Sequence, residues 1–294
     1  MRIAACLNVL NEVELIERCI LHLKKVGVDH ILICDMFSTD GTEKIIEKYL
    51  SQDVSILRLG IETPSPEYYR KQSDAIRQLN ADWVLFLDAD EFVLPYNGNI
   101  RDCRILDDAD VISLNCYNIA CTADKSDIPD DLSPAAYQDI NLIVQDVPNF
   151  RDQLSSADPL PIVRLVWPSK VLARPECVAQ VTDGSHDVLP AAPNLRRRVA
   201  PDLIIAHAPM TTKARFLRKL RCIRETFVHH DEYFGENIAW HWRYWLGLQD
   251  KGEIDLEYER SIFSHNKLLQ LRSLGVVKTA SEMLSLPINS SPAP

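Results

Sequence analysis

Short apolar runs alternate with amphipathic stretches along the first ninety residues. Ile3 to Val9 is a continuous apolar run and reads as a strand buried on both faces. Asn11-Glu12 closes it. Glu14 to Val26 then carries Leu15, Ile16, Cys19, Ile20 and Leu23 at helical spacing, with Lys24 and Lys25 in the last turn and Gly27 as a stop. His30 to Cys34 is a second strand ending at Asp35. Ser38 or Thr39 can open a helix from about Thr42 to Leu50. A strand over Val54–Leu59, a helix over Tyr68–Leu79 and a strand over Trp83–Leu87 follow. This alternation predicts an α/β fold with a doubly wound, mostly parallel sheet flanked by helices.

Beyond Glu91 the rhythm changes. Val111 to Tyr117 reads as another strand. Residues 122–161 are rich in Asp, Pro and Ser with weak periodicity: a long insertion that could act as a lid, or equally a solvated surface excursion. Ile162–Trp167 and Lys170–Ala173 suggest a hairpin-like return, and Leu203–Ala206 a last strand ending at His207. Lys213 to His229 is amphipathic. Phe216, Leu220, Ile223 and Phe227 form its apolar stripe, and Arg215, Arg218, Lys219, Arg221 and Arg224 make the rest basic. Trp240, Trp242, Tyr244 and Trp245 precede a polar helical stretch. From Pro287 the Pro/Ser composition predicts a disordered tail.

The candidate chemistry gathers at Trp83–Leu94, where five apolar residues run into Asp88, Asp90 and Glu91. In open α/β sheets ligands bind at the C-terminal ends of strands. Asp88 and Asp90 are two apart and would point to one side of an ideal strand. Like charges held together need a cation or a proton between them, so a divalent metal with a phosphate-bearing ligand is one reading. A polar turn after a core strand is the other.

Composition narrows the classes. Apolar residues make up 46% and charged residues 25%, as in an ordinary globular chain. A net charge of -10 argues against general nucleic-acid binding, though not against one local diphosphate site. The eight cysteines include no Cys-x-x-Cys pair and read as reduced thiols. No run approaches the roughly 20 apolar residues that span a bilayer, and the first residues do not read as a signal peptide. A cytoplasmic location is expected. The lack of Gly-x-Gly-x-x-Gly after the first strand disfavours an ordinary dinucleotide fold.

Together these motifs resemble the family 2-like glycosyltransferases of GT-A fold, in the branch with a DWVLFLDADEF-type metal motif related to the family 92 group. The resemblance rests on Asn11-Glu12, Gly27-Val28-Asp29-His30, Asp35 through Thr42, Lys71-Gln72, Asp82 through Phe92, Gly184-Ser185-His186, and His207 followed by Lys219. It is strong over residues 1–94, moderate over 163–225 and absent elsewhere. It implies a GT-A domain over 1–225, with a nucleotide-binding half (1–94) and an acceptor half (95–225) that holds the 122–161 insertion. Residues 226–286 would be a helical extension and 287–294 a disordered tail.

The activity implied is metal-dependent transfer of a sugar from a nucleotide-sugar, a UDP-sugar by analogy, to a glycan, lipid-linked or other hydroxyl acceptor. Inversion at the sugar is implied too, in a setting such as polysaccharide synthesis. Association at the periphery of a membrane stays open. The resemblance puts Asp90, Asp88 and His207 on Mn²⁺ or Mg²⁺, with Asp88 alternatively on the ribose. His186 is the rival ligand or an acceptor-site residue. Lys219 would neutralise the β-phosphate. Asp35 would meet the nucleobase, Asn11, Glu12 and Asp40 would line its pocket, and Lys71 and Gln72 would face the nucleotide-sugar. Asp187, Glu91 and His186 are candidates for the base that takes the acceptor proton. Cys34-Asp35-Met36-Phe37 departs from the commoner Asp-Asn or Asp-Asp-Gly of the family, so the base contacts are open. A haloacid-dehalogenase-like phosphatase or a non-catalytic nucleotide-sugar-binding module would share a strand ending in Asp-x-Asp.

Overall fold

A computed structural model describes residues 1–122, 128, 131–156, 158–234 and 239–285, apart from the side chains of Asp231 and Phe234. The tail expected from residue 287 lies outside the described residues. The chain runs β1 (Ile3–Val9), α1 (Ile16–Lys25), β2 (His30–Asp35), α2 (Thr42–Tyr49), β3 (Val54–Arg58), α3 (Ser65–Arg77), β4 (Trp83–Asp88), β5 (Glu91–Pro95) and β6 (Val111–Asn118). It continues through β7 (Asn141–Ile143), α4 (Phe150–Gln153), β8 (Trp167–Ala173), β9 (Val178–Val181), β10 (Val188–Pro190), β11 (Arg197–His207) and α5 (Lys213–Phe234). It closes with α6 (Trp240–Asp250), α7 (Ile254–Ser261), α8 (His265–Ser273), β12 (Val277–Thr279) and α9 (Ala280–Leu284).

Eight strands form one sheet in the order β3-β2-β1-β4-β8-β6-β11-β5. Only β8 and β5 run against the others, which makes the sheet mostly parallel, as the alternation of elements implies. Each central strand is buried on both faces because its residues alternate between two cores. Ile3, Ala5, Leu7, Leu85 and Leu87 pack under α1. Ala4, Cys6, Val84 and Phe86 pack towards α3 and β9. A third core joins α5, α6, α7 and α8 around Phe216, Leu220 and Trp245. The eight cysteines are free, and all but Cys177 are buried.

Register places the polar residues. Asn8 lies beside Asp88 across β1 and β4. Glu91, His207 and Asn118 lie side by side across β5, β11 and β6. Since β1, β4, β6 and β11 are parallel, Asn8, Asp88, Asn118 and His207 share the C-terminal edge of the sheet.

Three details differ from the pattern of the sequence. The acidic motif ends one strand and immediately starts another: β4 stops at Asp88, Ala89–Asp90 turn, and Glu91 opens β5 antiparallel to β11. Asp88 and Asp90 therefore do not sit on one face of a strand. The hairpin expected over 162–173 is a short 3-10 turn at Ile162–Arg164 and a single strand, β8. The Ile162 N–H there is taken by Glu257 from α7 (2.7 Å), which diverts it from any ladder. The stretch from 122 to 161 is no solvated excursion where it is described. Leu132, Tyr137, Ile140 and Leu142 join the main core, and β7 pairs with β12.

Candidate active site

A cavity of about 590 Å³ opens at the C-terminal edge of the sheet. The β1–α1 loop, the β4–β5 turn, the 183–186 loop, β8 and helices α5 and α6 enclose it. Of the residues singled out in the sequence, Asn11, Glu12, Asp88, Asp90, Glu91, His186, His207 and Lys219 line it.

Asp90 is buried and gathers three basic groups on one oxygen. Arg215 Nη2 donates to it at 2.8 Å, Lys219 Nζ at 2.7 Å, and His207 Nε2 stands 3.6 Å away. Burial pushes the Asp90 carboxyl up, but Lys219, His207 and Arg215 together hold it well below the usual carboxylate range. Arg215 also grips Glu12 through two bonds of 2.8 Å and donates to the Ala208 carbonyl (2.9 Å). Burial nevertheless raises the Glu12 carboxyl.

Asp88 faces the other way. It accepts from Asn8 Nδ2 (3.1 Å) and from Lys170 Nζ (2.8 Å). Lys170 has no exposed surface, and its remaining contacts are Glu91 (3.1 Å) and the Gly184 carbonyl (2.7 Å). Burial raises the Asp88 carboxyl, and the Lys170 ammonium outweighs it, so the net shift is downward. Glu91 is pushed up to about 8, chiefly by burial and against the pull of Lys170. Near neutral pH it therefore holds a proton behind the motif.

The 183–186 loop is fastened to this centre. Besides Lys170, Tyr69 Oη accepts the Gly184 N–H (2.8 Å) and Ser185 Oγ accepts from Asn8 (2.9 Å). Gly184 sits at φ +64°, and a Cβ there would meet the His186 ring at 2.8 Å. The loop brings His186 and Asp183 to the cavity. Tyr233 Oη, near the end of α5, donates to the Asp183 carboxylate at 2.9 Å. Aromatic rings line the cavity as well: Trp167, Trp240, His241, Trp242 and Trp245. Trp167 meets the His207 ring edge-on at 5.4 Å. Burial lowers His186 to about 4 and His241 to about 3, so these two rings are neutral near pH 7, and it lowers His207 as well, against the opposite pull of Asp90.

Five residues singled out in the sequence do not line the cavity. Asp35 is buried and accepts the Ser38 N–H (3.1 Å), with Arg58 3.8 Å from its other oxygen. Asp40 accepts the N–H and hydroxyl of Thr42 (3.0 and 2.5 Å) and the Val13 N–H (3.2 Å), which is the turn before α2. Lys71 pairs with Glu67 (2.8 Å) on the outer face of α3. Gln72, one residue on, turns inward and reaches the cavity only through Asn8 (2.7 Å). Asp187 pairs with Arg197 (2.7 Å) away from the cavity.

Several lining or supporting residues carry no label in the sequence. Arg215 reads as part of a solvated basic face, yet it is 1% exposed. Its signal is the four-residue spacing to Lys219, which puts both on one side of α5. Lys170, Asn8, Asn118 and Asp183 come into the site only through pairing across the sheet and loop packing.

The donor chemistry suits a hard divalent ion: two carboxylates and an imidazole. Asn118 Nδ2 donates to the carbonyls of Val163 (2.8 Å) and Leu165 (2.9 Å), so its oxygen is what faces His207 Nδ1 at 2.8 Å. That oxygen keeps a proton on Nδ1 and leaves Nε2, the nitrogen turned towards Asp90, as the one a metal would take. The residues fit Mn²⁺ or Mg²⁺ in kind. Among the described residues, no three of His, Cys, Asp and Glu already converge as a ready cage.

The glycosyl transferase family 2 model matches residues 5–97, a span that holds β1 through β5 and the Asp88–Asp90 turn. The chain is also similar to a 1–349 form of TarS from S. aureus, at 15% identity and a TM-score of 0.42, over 81% of this chain and 66% of that one. A TarS 1–349 structure in complex with UDP-GlcNAc matches at 14% and 0.37, over 81% and 68%. Glucosyl-3-phosphoglycerate synthase from Mycobacterium tuberculosis, solved with Mn²⁺, UDP and glucosyl-3-phosphoglycerate, matches at 15% and 0.34, over 60% and 58%. These are loose likenesses, and the chain covers only 29% of a longer TarS structure. No curated protein matches the sequence. Among the described residues no helix is long and apolar enough to cross a membrane.

Proposed function

We propose that this chain transfers a sugar from a nucleotide-sugar, a UDP-sugar in the first instance, to a hydroxyl acceptor, with inversion at the anomeric carbon. The observation that carries the reading is that Asp88, Asp90, His207, Arg215 and Lys219 all line one cavity, with Asp88 and Asp90 inside the span that the family 2 model matches. Breaking the sugar–phosphate bond builds negative charge on the diphosphate, and preorganised cations lower the barrier by meeting that charge as it forms. Lys219 reaches into the cavity from α5 and serves this role. Asp88, Asp90 and His207 would hold Mn²⁺ or Mg²⁺, which when bound offsets charge on the same leaving group. Arg215 keeps Asp90 and Glu12 in place, and Lys170 does the same for Asp88.

Asp183 takes the place of Asp187 as the acceptor base. It is the carboxylate on the 183–186 loop that lines the cavity, and the Tyr233 hydroxyl orients it. In the reaction, Asp183 accepts the hydroxyl proton as the acceptor oxygen bonds to the anomeric carbon and the diphosphate leaves with the old bond's electrons. Glu91 is protonated near neutral pH and pairs with the buried Lys170. The aromatic wall suits the apolar face of a sugar ring on the acceptor side. A glycan or a lipid-linked glycan is the acceptor class to test.

The test is a product screen. UDP-sugars are incubated with the protein, Mn²⁺ and a panel of glycan acceptors, and the new linkage is read by NMR. The reading expects one product, with the anomeric configuration opposite to the donor's. A product that retains the configuration overturns the base assignment, and release of phosphate from simple phosphomonoesters instead of transfer favours the phosphatase alternative.

A further inference from the structure

Asn118 ends β6 and is 1% exposed. All of its amide bonding is committed. Nδ2 donates to two carbonyls, those of Val163 and Leu165, and Oδ1 stands 2.8 Å from His207 Nδ1. An amide whose nitrogen is held by two acceptors cannot flip without losing both bonds. Its oxygen therefore requires a proton on the facing ring nitrogen.

We propose that Asn118 is a positioning residue: its oxygen holds a proton on His207 Nδ1, so that Nε2 is the nitrogen left to face Asp90, and it ties that ring to the wall of the acceptor side. The second half follows from where the carbonyls lie. Val163 and Leu165 lead directly into Val166, Trp167 and Pro168, which line the cavity. One side chain thus holds the ring from behind, through Nδ1, and the segment that lays Trp167 against the ring's edge. A shift of that segment when an acceptor binds would reach His207 through Asn118. Where the proposal speaks of metal it rests on the function proposed above. The tautomer is a property of the metal-free protein and does not.

Long-range ¹H–¹⁵N correlation of ¹⁵N-histidine-labelled, metal-free protein tests the tautomer, with His207 assigned by the signal lost in His207→Gln. The expected result is a ring that carries a proton on Nδ1. A wild-type His207 protonated at Nε2 alone overturns the proposal outright, whatever the protein binds. Asn118→Leu should release the ring to the Nε2-protonated or mixed form. Asn118→Ala removes the same oxygen with a smaller side chain and should act likewise, so it carries the test if the leucine variant does not fold. Persistence of the wild-type signature in either folded variant contradicts the proposal.

Mn²⁺ titration followed by EPR supplies the second readout. Removing an outer partner of a metal-binding histidine costs about 10–100-fold in affinity, and Asn118→Leu and Asn118→Ala should each lose about that much. Equal affinities in all three proteins overturn the link to metal. Wild-type protein that shows the expected tautomer but binds no Mn²⁺ instead sinks the metal reading and leaves the positioning role supported.

Discussion

Replacing Lys170 with methionine should expose the charge balance beneath the acidic motif. Met has a similar length and fills the space, so the perturbation is loss of an ammonium rather than a cavity. Lys170 has no exposed surface and contacts Asp88 at 2.8 Å, Glu91 at 3.1 Å and the Gly184 carbonyl at 2.7 Å. Stranding the partners of a buried ion pair costs about 3–5 kcal/mol. The size of the loss should depend on pH, and the direction follows from Glu91. Its carboxyl is raised by burial from 4.5 to about 8. The folded protein keeps a proton there that the unfolded chain has released, so stability falls as pH rises through this window and levels off above it. Lys170 pulls that value down. Without Lys170 it climbs further, and stability keeps falling above pH 8, by up to about 1.4 kcal/mol per pH unit for one extra proton. Asp88 adds a loss at neutral pH, because the ammonium that lowers its carboxyl is gone. Urea unfolding of wild type and Lys170→Met at about pH 6 and about pH 9 should show a deficit near the low end of the range at the lower pH and a larger one at the higher. Adding Glu91→Gln should remove the growth with pH. A deficit below about 1 kcal/mol, or one equal at both pH values, would refute the reasoning.

Further outcomes follow from other contacts. Asp183→Asn should lower kcat by about 10²–10⁴-fold, the usual worth of a general base, with nucleotide affinity unchanged by calorimetry. Tyr233→Phe should have a smaller effect in the same direction. Arg215→Met should destabilise by about 3–5 kcal/mol in chemical unfolding, since it strands the buried Asp90 and Glu12 carboxylates. Trp245→Ala empties the core between α5 and α6, where Trp245 is 1% exposed and meets Phe216 at 5.3 Å, and should cost about 3–5 kcal/mol by the same assay.

The sequence carries the fold where periodicity is unambiguous. The β/α alternation through Asp88 matches the structure nearly element for element, because buried parallel strands leave uninterrupted apolar runs. It fails where local pattern is outweighed by distant partners. The strand expected over Trp83–Leu87 gives no sign of a second one behind it, yet β11 takes up Glu91–Pro95 as a separate antiparallel strand. The 162–164 segment looks like a strand until Glu257 captures its backbone. The site shows the same division. Asp88, Asp90, Glu91, His207 and Lys219 sit at ends of elements that the pattern marks, and they do meet in one cavity. Lys170 lies mid-strand, and nothing in the order of residues says that it points inward, while Arg215 inside a basic helix face is marked only by its spacing to Lys219. Lys71 and Gln72 differ by one residue and hence by about 100° around α3, enough to turn one outward and the other in. Asp187 and Asp183 are separated by a turn whose direction only packing decides.

Calorimetric titration of UDP into the purified protein, with and without Mn²⁺ and beside Asp90→Ala, tests the central claim most directly. The account predicts binding that needs the metal in the wild type and is lost in the variant. Absence of UDP binding under every metal condition, or binding indifferent to both Mn²⁺ and Asp90, would contradict it.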